Sequence, residues 1–203
     1  MNPLKCAFGV SAGKFLGFLV HQRGIDIDPA RASAIATMKP PTTHKELKSF
    51  LGKLSYIRRF ILGLATVSSA FAPLLKKGAP FHWSIECQQA FEKVQDIMTK
   101  LPTVCAPIFG KPLRLYLASN SQAIGTLIAQ EDGSGIEQPV YYVSRALKDA
   151  ESRYLRAERS CLALIYASQR LRHYFLAHKV QLMTKSHLIR SLLQRPVLSG
   201  RLA

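Results

Sequence analysis

Leu113-Arg-Leu-Tyr-Leu-Ala-Ser-Asn-Ser-Gln-Ala-Ile-Gly-Thr-Leu-Ile-Ala-Gln130 decides how the second half of the chain is read. Leu113, Leu115 and Leu117 alternate with other residues as a strand requires, and a second apolar run follows from Ala123. The Ser/Asn/Gln patch between the runs falls where a turn belongs, so the stretch predicts a hairpin opening a new domain. Downstream, Glu131-Asp-Gly-Ser-Gly135 predicts a turn and Pro139-Val-Tyr-Tyr-Val143 a third strand. From about Ala157 to Phe175, Cys161, Leu162, Leu164, Ile165, Leu171 and Phe175 recur at helical spacing beside the small Ser168, predicting one long buried helix. Lys179 to Thr184 is a fourth strand, and His187 to Gln194 a short helix before Pro196. Strand, strand, strand, helix, strand, helix is an α/β layered order.

Upstream of the hairpin the chain reads differently. Residues 7 to 20 hold two short apolar runs split by Ser11-Ala-Gly13, again a hairpin signal. Gly17, between Leu16 and Phe18, lacks a Cβ and permits close approach of a neighbour or ligand; a bulge in a plain strand is the other reading. Asp28-Pro29 has the form of a cap followed by the first helical position and predicts a helix over about 29–38, ending before Pro40-Pro41. Thr43-His-Lys-Glu46 has the capping-box form, followed by Leu47, Phe50, Leu51, Leu54, Ile57 and Ile61 as a core stripe. Away from that stripe project Lys45, Lys48 and Arg59, with Gly52 and Ser55 between them. Such a face suits a nucleic-acid backbone, or is simply solvated. Ser84 caps a further helix carrying Ala90, Phe91, Val94, Ile97 and Met98, with Trp83 ahead of it as a core anchor. Pro102, Pro107 and Pro112 make residues 101–112 an extended connection.

Charge narrows the partner. Twenty-eight Lys+Arg against 12 Asp+Glu give +16, and between Pro29 and Lys77 stand nine basic residues (Arg31, Lys39, Lys45, Lys48, Lys53, Arg58, Arg59, Lys76, Lys77) and one acid, Glu46. This basic block implies a polyanionic partner. No run of eighteen apolar residues spans a bilayer, and the N-terminus lacks a signal-peptide core, so an intracellular setting, in cytoplasm or nucleus, is expected and no membrane partner. Cys6, Cys87, Cys105 and Cys161 lie far apart without metal-ligand spacing and read as buried thiols, and the six histidines form no ligand cluster.

The ordered set Asn2-Pro-Leu-Lys-Cys6, Lys14-Phe-Leu-Gly-Phe18, Asp28-Pro29, Leu51-Gly-Lys-Leu-Ser-Tyr-Ile-Arg-Arg-Phe-Ile61, Pro73-Leu-Leu-Lys76, Phe81-His-Trp83 and Cys87-Gln-Gln-Ala-Phe91 resembles a gypsy-type long-terminal-repeat retrotransposon reverse transcriptase, from just after its polymerase aspartates onward. Pro139 to Leu147, Glu151 to Tyr154 and Leu171 to Phe175 extend the resemblance through a ribonuclease H domain. The fold implied is α/β (α+β): the end of a palm and a helical thumb, then an RNase H-like mixed sheet with helices packed on it. The implied divisions are a palm remnant with primer-grip hairpin (1–28), a helical thumb (29–77), a linker helix and connection (78–112), and an RNase H-like domain cut short at its C-terminus (113–203). The resemblance assigns duplex contacts to Phe15, Leu16 and Gly17 in the grip and to Lys45, Lys48, Gly52, Lys53, Arg58 and Arg59 in the thumb.

The same resemblance tests the chemistry. Polymerase and ribonuclease H sites of the family use clustered carboxylates around two magnesium ions. The only acids ahead of the thumb are Asp26 and Asp28, in no such motif, so no polymerase activity is expected. The three ribonuclease H acids correspond to Ala118, Ser160 and Lys185, so no magnesium and no cofactor is expected; Asn120 and Ser121 are poor substitutes, and Glu158, two positions before Ser160, faces away. Alanine at 118 is similar to a plant subgroup in which this domain has lost its acids and serves as a connection. The expectation is a catalytically inactive, non-specific binder of RNA/DNA or DNA duplex. Its other partners are the missing palm and the downstream nuclease and integrase parts of the polyprotein. The alternatives are an active RNase H-type endonuclease on RNA/DNA hybrids, and a host-adopted interaction module using the apolar residues Phe15, Leu16 and Phe18.

Overall fold

The computed structural model describes residues 8–184 and 187–194. Three short strands come first: β1 (Ala12–Phe15), β2 (Phe18–His21) and β3 (Gly24–Ile27), in a three-stranded antiparallel sheet. The turn lies at Leu16-Gly17, with φ of 48° and 75°, because a two-residue hairpin with both residues left-handed matches the strand twist. Ser11-Ala-Gly13, expected to split the hairpin, instead leads into β1; alternation was too weak there to fix the register.

The helices start where their caps predict. Asp28 Oδ1 accepts from Ala30 N at 3.1 Å and begins α1 (Pro29–Ala36). Thr43 Oγ1 accepts from Glu46 N at 3.2 Å and begins α2 (His44–Ile57). Only half of the expected capping box forms, because the Glu46 carboxylate turns to Thr42, accepting from its N at 2.8 Å and its hydroxyl at 3.0 Å. Short turns of helix follow, including α3 (Leu64–Ser68), before Ser84 caps α4 (Ile85–Thr99). Leu47, Phe50, Leu54, Ile57, Phe60, Phe71, Phe91 and Val94 from these elements form one core, buried to the last few per cent. The helix expected in a connecting segment is thus part of the helical core, since Phe91 and Val94 need the cover α1 and α2 provide. Trp83 is the half-buried anchor its context predicts, with ring centroids 5.7 Å from Phe71 and 6.2 Å from Phe81, and its Nε1 donates to Gln88.

The second half is a four-stranded mixed sheet. β4 (Leu113–Ser119), β5 (Ala123–Glu131) and β6 (Glu137–Ala146) run antiparallel, and β7 (Val180–Met183) joins β4 in parallel, giving the order β6-β5-β4-β7. Asn120 Oδ1 closes the β4–β5 turn by accepting from Gln122 N and Ala123 N. The third strand outruns its expected limits at both ends, because nine pairings with β5 extend it past the apolar run. The long helix breaks at Leu171 into α5 (Arg156–Arg170) and α6 (Arg172–Ala177). It buries Ala163, Ala167 and Leu171, with Leu164 and Phe175 only half-covered, so it is a shallow cover and not the buried helix expected. A last helix, α7, spans His187–Leu193.

The extended connection ties the halves together. Ile25 and Val104 exchange backbone hydrogen bonds of 2.7 and 3.0 Å, and Cys105 N donates to Pro139 O at 2.8 Å. A Cβ at Gly24 would lie 2.3 Å from Val104 O, so that strand can approach only a glycine. Buried Gln130 reaches back into the connection, accepting from Ile108 N and donating to Ile108 O and Lys111 O. The N-terminus of α3 meets the sheet, where Ala65 N donates to Ser144 Oγ at 3.1 Å.

Candidate functional site

Two places carry the residues singled out in sequence. The first is a cleft of about 820 Å³ at the end of β4 and the start of α5, lined by Ala118, Ser119, Arg156, Ser160, Met183 and Thr184 among others. Ala118 and Ser160 therefore share one cleft. Lys185 lies outside the described residues, next to Thr184. The hydroxyl facing Ser160 is that of Ser119, at 3.2 Å, and Ser160 Oγ also donates to Arg156 O at 3.0 Å. Glu158 caps α5, its carboxylate accepting from Leu155 N at 2.9 Å, and is not among the lining residues.

Magnesium requires several hard, preferably anionic, oxygens. The described lining offers hydroxyls and the guanidinium of Arg156 but no carboxylate, so these residues do not fit a dication. Among the described residues no three His, Cys, Asp or Glu side chains gather to hold a metal ion. Tyr116, at one margin of the cleft, donates to Glu137 at 2.7 Å, which raises the phenol and, with Arg114 as the larger cause, holds the Glu137 carboxyl below its usual range. Glu137 is thus the third-strand end of a surface network, Arg114 pairing with both Glu131 and Glu137.

The second place is the outer side of α2 with the hairpin. Lys45, Lys48, Gly52, Lys53 and Arg58 are exposed, and Lys45 and Lys48 have no ion-pair partner among the described residues. Lys53 Nζ lies 3.5 Å from Met38 Sδ, and Arg58 lines a hollow between α2, α3 and Ser144. Gly52 is in mid-helix, where nothing lies within 4 Å of a would-be Cβ, so no contact inside the chain asks for a glycine there. Phe15 is 66% exposed and Leu16 72%. Arg59 departs from the expected outward face: its guanidinium lies 4.4 Å from the Phe18 ring centroid and 5.2 Å from that of Phe60, with Nε buried. Flat aromatic faces attract a weakly hydrated guanidinium more than water does at such a seam.

Sequence reasoning missed the seam itself. Phe18 stacks on Tyr56 with centroids 4.7 Å apart, and Arg31 lies 4.7 Å over Tyr56. A Cβ at Gly17 would fall 2.3 Å from the Arg31 guanidinium carbon, so the close approach at Gly17 is made by a neighbouring side chain. The signal was available as aromatic and arginine residues at matching places on β2, α1 and α2. It could not be separated from core and surface patterning without the hairpin's position. Of the cysteines, Cys87 is buried, whereas Cys105 and Cys161 are half-buried and Cys6 lies outside the described residues. Burial pushes both half-buried thiols up, away from thiolate chemistry.

A mixed sheet of order β6-β5-β4-β7 with a crossover helix is an RNase H-like fold. Residues 83–182 match the family described as an RNase H-like domain found in reverse transcriptase, and they belong to the RNase H-like domains of retrotransposon and retroviral Pol polyproteins. The retrovirus-related Pol polyprotein from transposon opus of Drosophila melanogaster is 34% identical over 185 residues, covering 86% of this chain and 18% of that protein. The Tf2-3 transposon polyprotein of Schizosaccharomyces pombe is 28% identical, covering 86% of this chain and 13% of that protein. The chain therefore spans less than a fifth of these relatives. In fold it is similar to a foamy viral protease-reverse transcriptase in complex with dsDNA, at a TM-score of 0.76, 18% identity, and coverage of 93% of this chain and 39% of that one. It is likewise similar to that protein with an RNA/DNA hybrid, at a TM-score of 0.73, 19% identity, and coverage of 95% and 27%.

Proposed function

We propose that this chain is a nucleic-acid-binding section of a retroelement reverse transcriptase that does not cleave phosphodiesters itself. Residues 29–77 act as the thumb and residues 113–203 as a connection domain descended from a ribonuclease H. The observation carrying the inactive reading is the cleft holding Ala118 and Ser160, whose described lining has no carboxylate to hold a metal ion. Binding is supported by the bare cations Lys45 and Lys48 beside Gly52, a glycine without a packing reason in the chain. Counterion release from phosphates makes such contacts tight at low salt and indifferent to sequence. The gypsy-type origin, the plant subgroup, the palm remnant at 1–28 and an intracellular setting rest on the sequence resemblance and belong to the same proposal.

The test is a labelled RNA/DNA hybrid with magnesium or manganese, followed for both cleavage and binding across a salt series. Expected are binding that falls steeply with salt and no cleavage. Cleavage that follows the purified protein and stops with chelator would restore the active endonuclease. Lys45→Ala with Lys48→Ala should make the salt slope shallower by about 1–2; an unchanged slope would remove α2 from the binding face. A host-adopted interaction module is favoured only by the bare Phe15 and Leu16 at the hairpin tip. Phe15→Ser with Leu16→Asn should leave hybrid affinity changed and the monomer state unchanged, whereas loss of self-association with intact binding would favour that module.

A further inference from the structure

The poor fit of the cleft to a metal ion has a positive counterpart. Once its acids are replaced, a cleft in this position presents donors in place of acceptors. Arg156 is exposed at the first position of α5 and has no acidic partner among the described residues. Beside it stand the hydroxyls of Ser119 and Ser160, 3.2 Å apart. Their protons are not equivalent. Ser160 Oγ donates to Arg156 O, so its proton is committed, and the 3.2 Å contact between the hydroxyls uses the Ser119 proton. Ser119 is free to turn its proton toward a ligand acceptor, since the bond it leaves is a long one. At the cleft margin Tyr116 donates to Glu137, which shares Arg114 with Glu131.

We infer that this cleft takes a backbone phosphate of a nucleic-acid strand directly, without a metal ion, through the Arg156 guanidinium and the Ser119 hydroxyl. The inference rests on the nucleic-acid-binding reading above and names a contact made by the sheet half. A guanidinium matches the paired oxygens of a phosphodiester, and a neutral hydroxyl adds a donor without attracting a dication. A volume of about 820 Å³ admits a strand segment, far more than one small anion.

The experiment uses the full chain and a fluorescent RNA/DNA hybrid, titrated at matched ionic strength in chelator and in magnesium. The wild type should bind no more tightly in magnesium than in chelator. Arg156→Gln should bind about threefold to tenfold more weakly, with a salt slope shallower by about 0.7–0.9, and Arg156→Lys should recover the slope but only part of the affinity. Ser119→Ala should lose about twofold, a weak neutral hydrogen bond. Ser160→Glu should weaken binding in chelator and regain part of it with magnesium. Circular dichroism and thermal melting establish that each variant is folded. Wild-type affinity that rises several-fold with magnesium, or Arg156→Gln indistinguishable from a wild type that does bind, would overturn the inference while the basic thumb face survives. A wild type that fails to bind the hybrid would overturn the functional reading itself. Displacement of the hybrid by sub-millimolar inorganic phosphate would make the cleft a small-anion site and overturn the assignment to a strand.

Discussion

The two halves of this chain are stabilised by different kinds of core. The helical half inserts four whole aromatic rings, Phe50, Phe60, Phe71 and Phe91, each at or below 1% exposure, and the Phe50 ring packs against both Phe71 and Phe91. The sheet half fully buries aliphatic side chains, Leu113, Leu115, Ile124 and Ile128, while Tyr141, Tyr166 and Tyr174 remain at partly wet margins. A helical cluster can close around rings from several directions, whereas a sheet offers one flat face per layer and α5 covers it shallowly. The helical half is therefore the part whose packing resists change. The sheet half keeps polar, adjustable groups near its open end, where its cleft is.

The sharpest way to break that contrast is to empty each core in turn. Phe50→Ala should cost about 3–5 kcal/mol, whereas Leu164→Ala, at a half-buried position of α5, should cost about 1 kcal/mol. Urea unfolding followed by circular dichroism measures both, and equal losses would end the distinction. The joint between the halves comes next. Gln130→Ala leaves the backbone groups of Ile108 and Lys111 without their partner inside the protein and should cost about 2–3 kcal/mol. The residues around Ile108 should then lose protection in hydrogen exchange before the helical core does.

Smaller effects separate two glycines of the first half, Gly17 and Gly52. Gly17→Ala must hold a left-handed φ and displace Arg31, for a loss of about 1–2 kcal/mol. Gly52→Ala meets nothing and should gain about 0.5–1 kcal/mol in thermal unfolding, at the expense of hybrid affinity. An effect of similar size belongs to one ion pair of the sheet half, Arg145 with Glu151. Arg145 donates to both oxygens of Glu151, at 2.9 and 3.0 Å, and chiefly for that reason holds the Glu151 carboxyl below its ordinary 4.5. A carboxyl depressed by folding stabilises the native state above its unfolded value, and that contribution disappears as pH falls through the folded value. Glu151→Gln should thus cost about 1 kcal/mol at pH 7 and nothing near pH 2. A difference that persists in acid would assign the effect to shape and not charge.

Much of the architecture was legible in local patterns. Asp28, Thr43 and Ser84 begin the helices they announce, because a capping oxygen acts on amides two or three residues away. The Leu113–Gln130 hairpin is equally local, its turn closed by Asn120. The turn at Leu16-Gly17 was misplaced because both flanking strands are only four residues long and poorly alternating. The break at Leu171 was invisible because nothing in Gln169 to His173 is a helix breaker; it follows from α5 and α6 having to fit the same sheet. Of the candidate site, the neutral residues at 118 and 160 could be read directly, and the structure brings them into one cleft.

By itself the sequence determined the excess of positive charge, the order of elements, the caps and the absence of acids at Ala118 and Ser160, since each depends on residue identity or on neighbours within a turn. Tertiary structure alone decided that Arg59 stacks on Phe18 instead of facing outward with Lys45 and Lys48, and that Arg31 lies over Tyr56. It also decided that Ser119, not Ala118, meets Ser160, and that Val104 ties the first hairpin to the connection. These contacts join residues tens of positions apart, and their free energy depends on which surfaces the fold dries and brings within a few ångströms, a quantity no local pattern encodes.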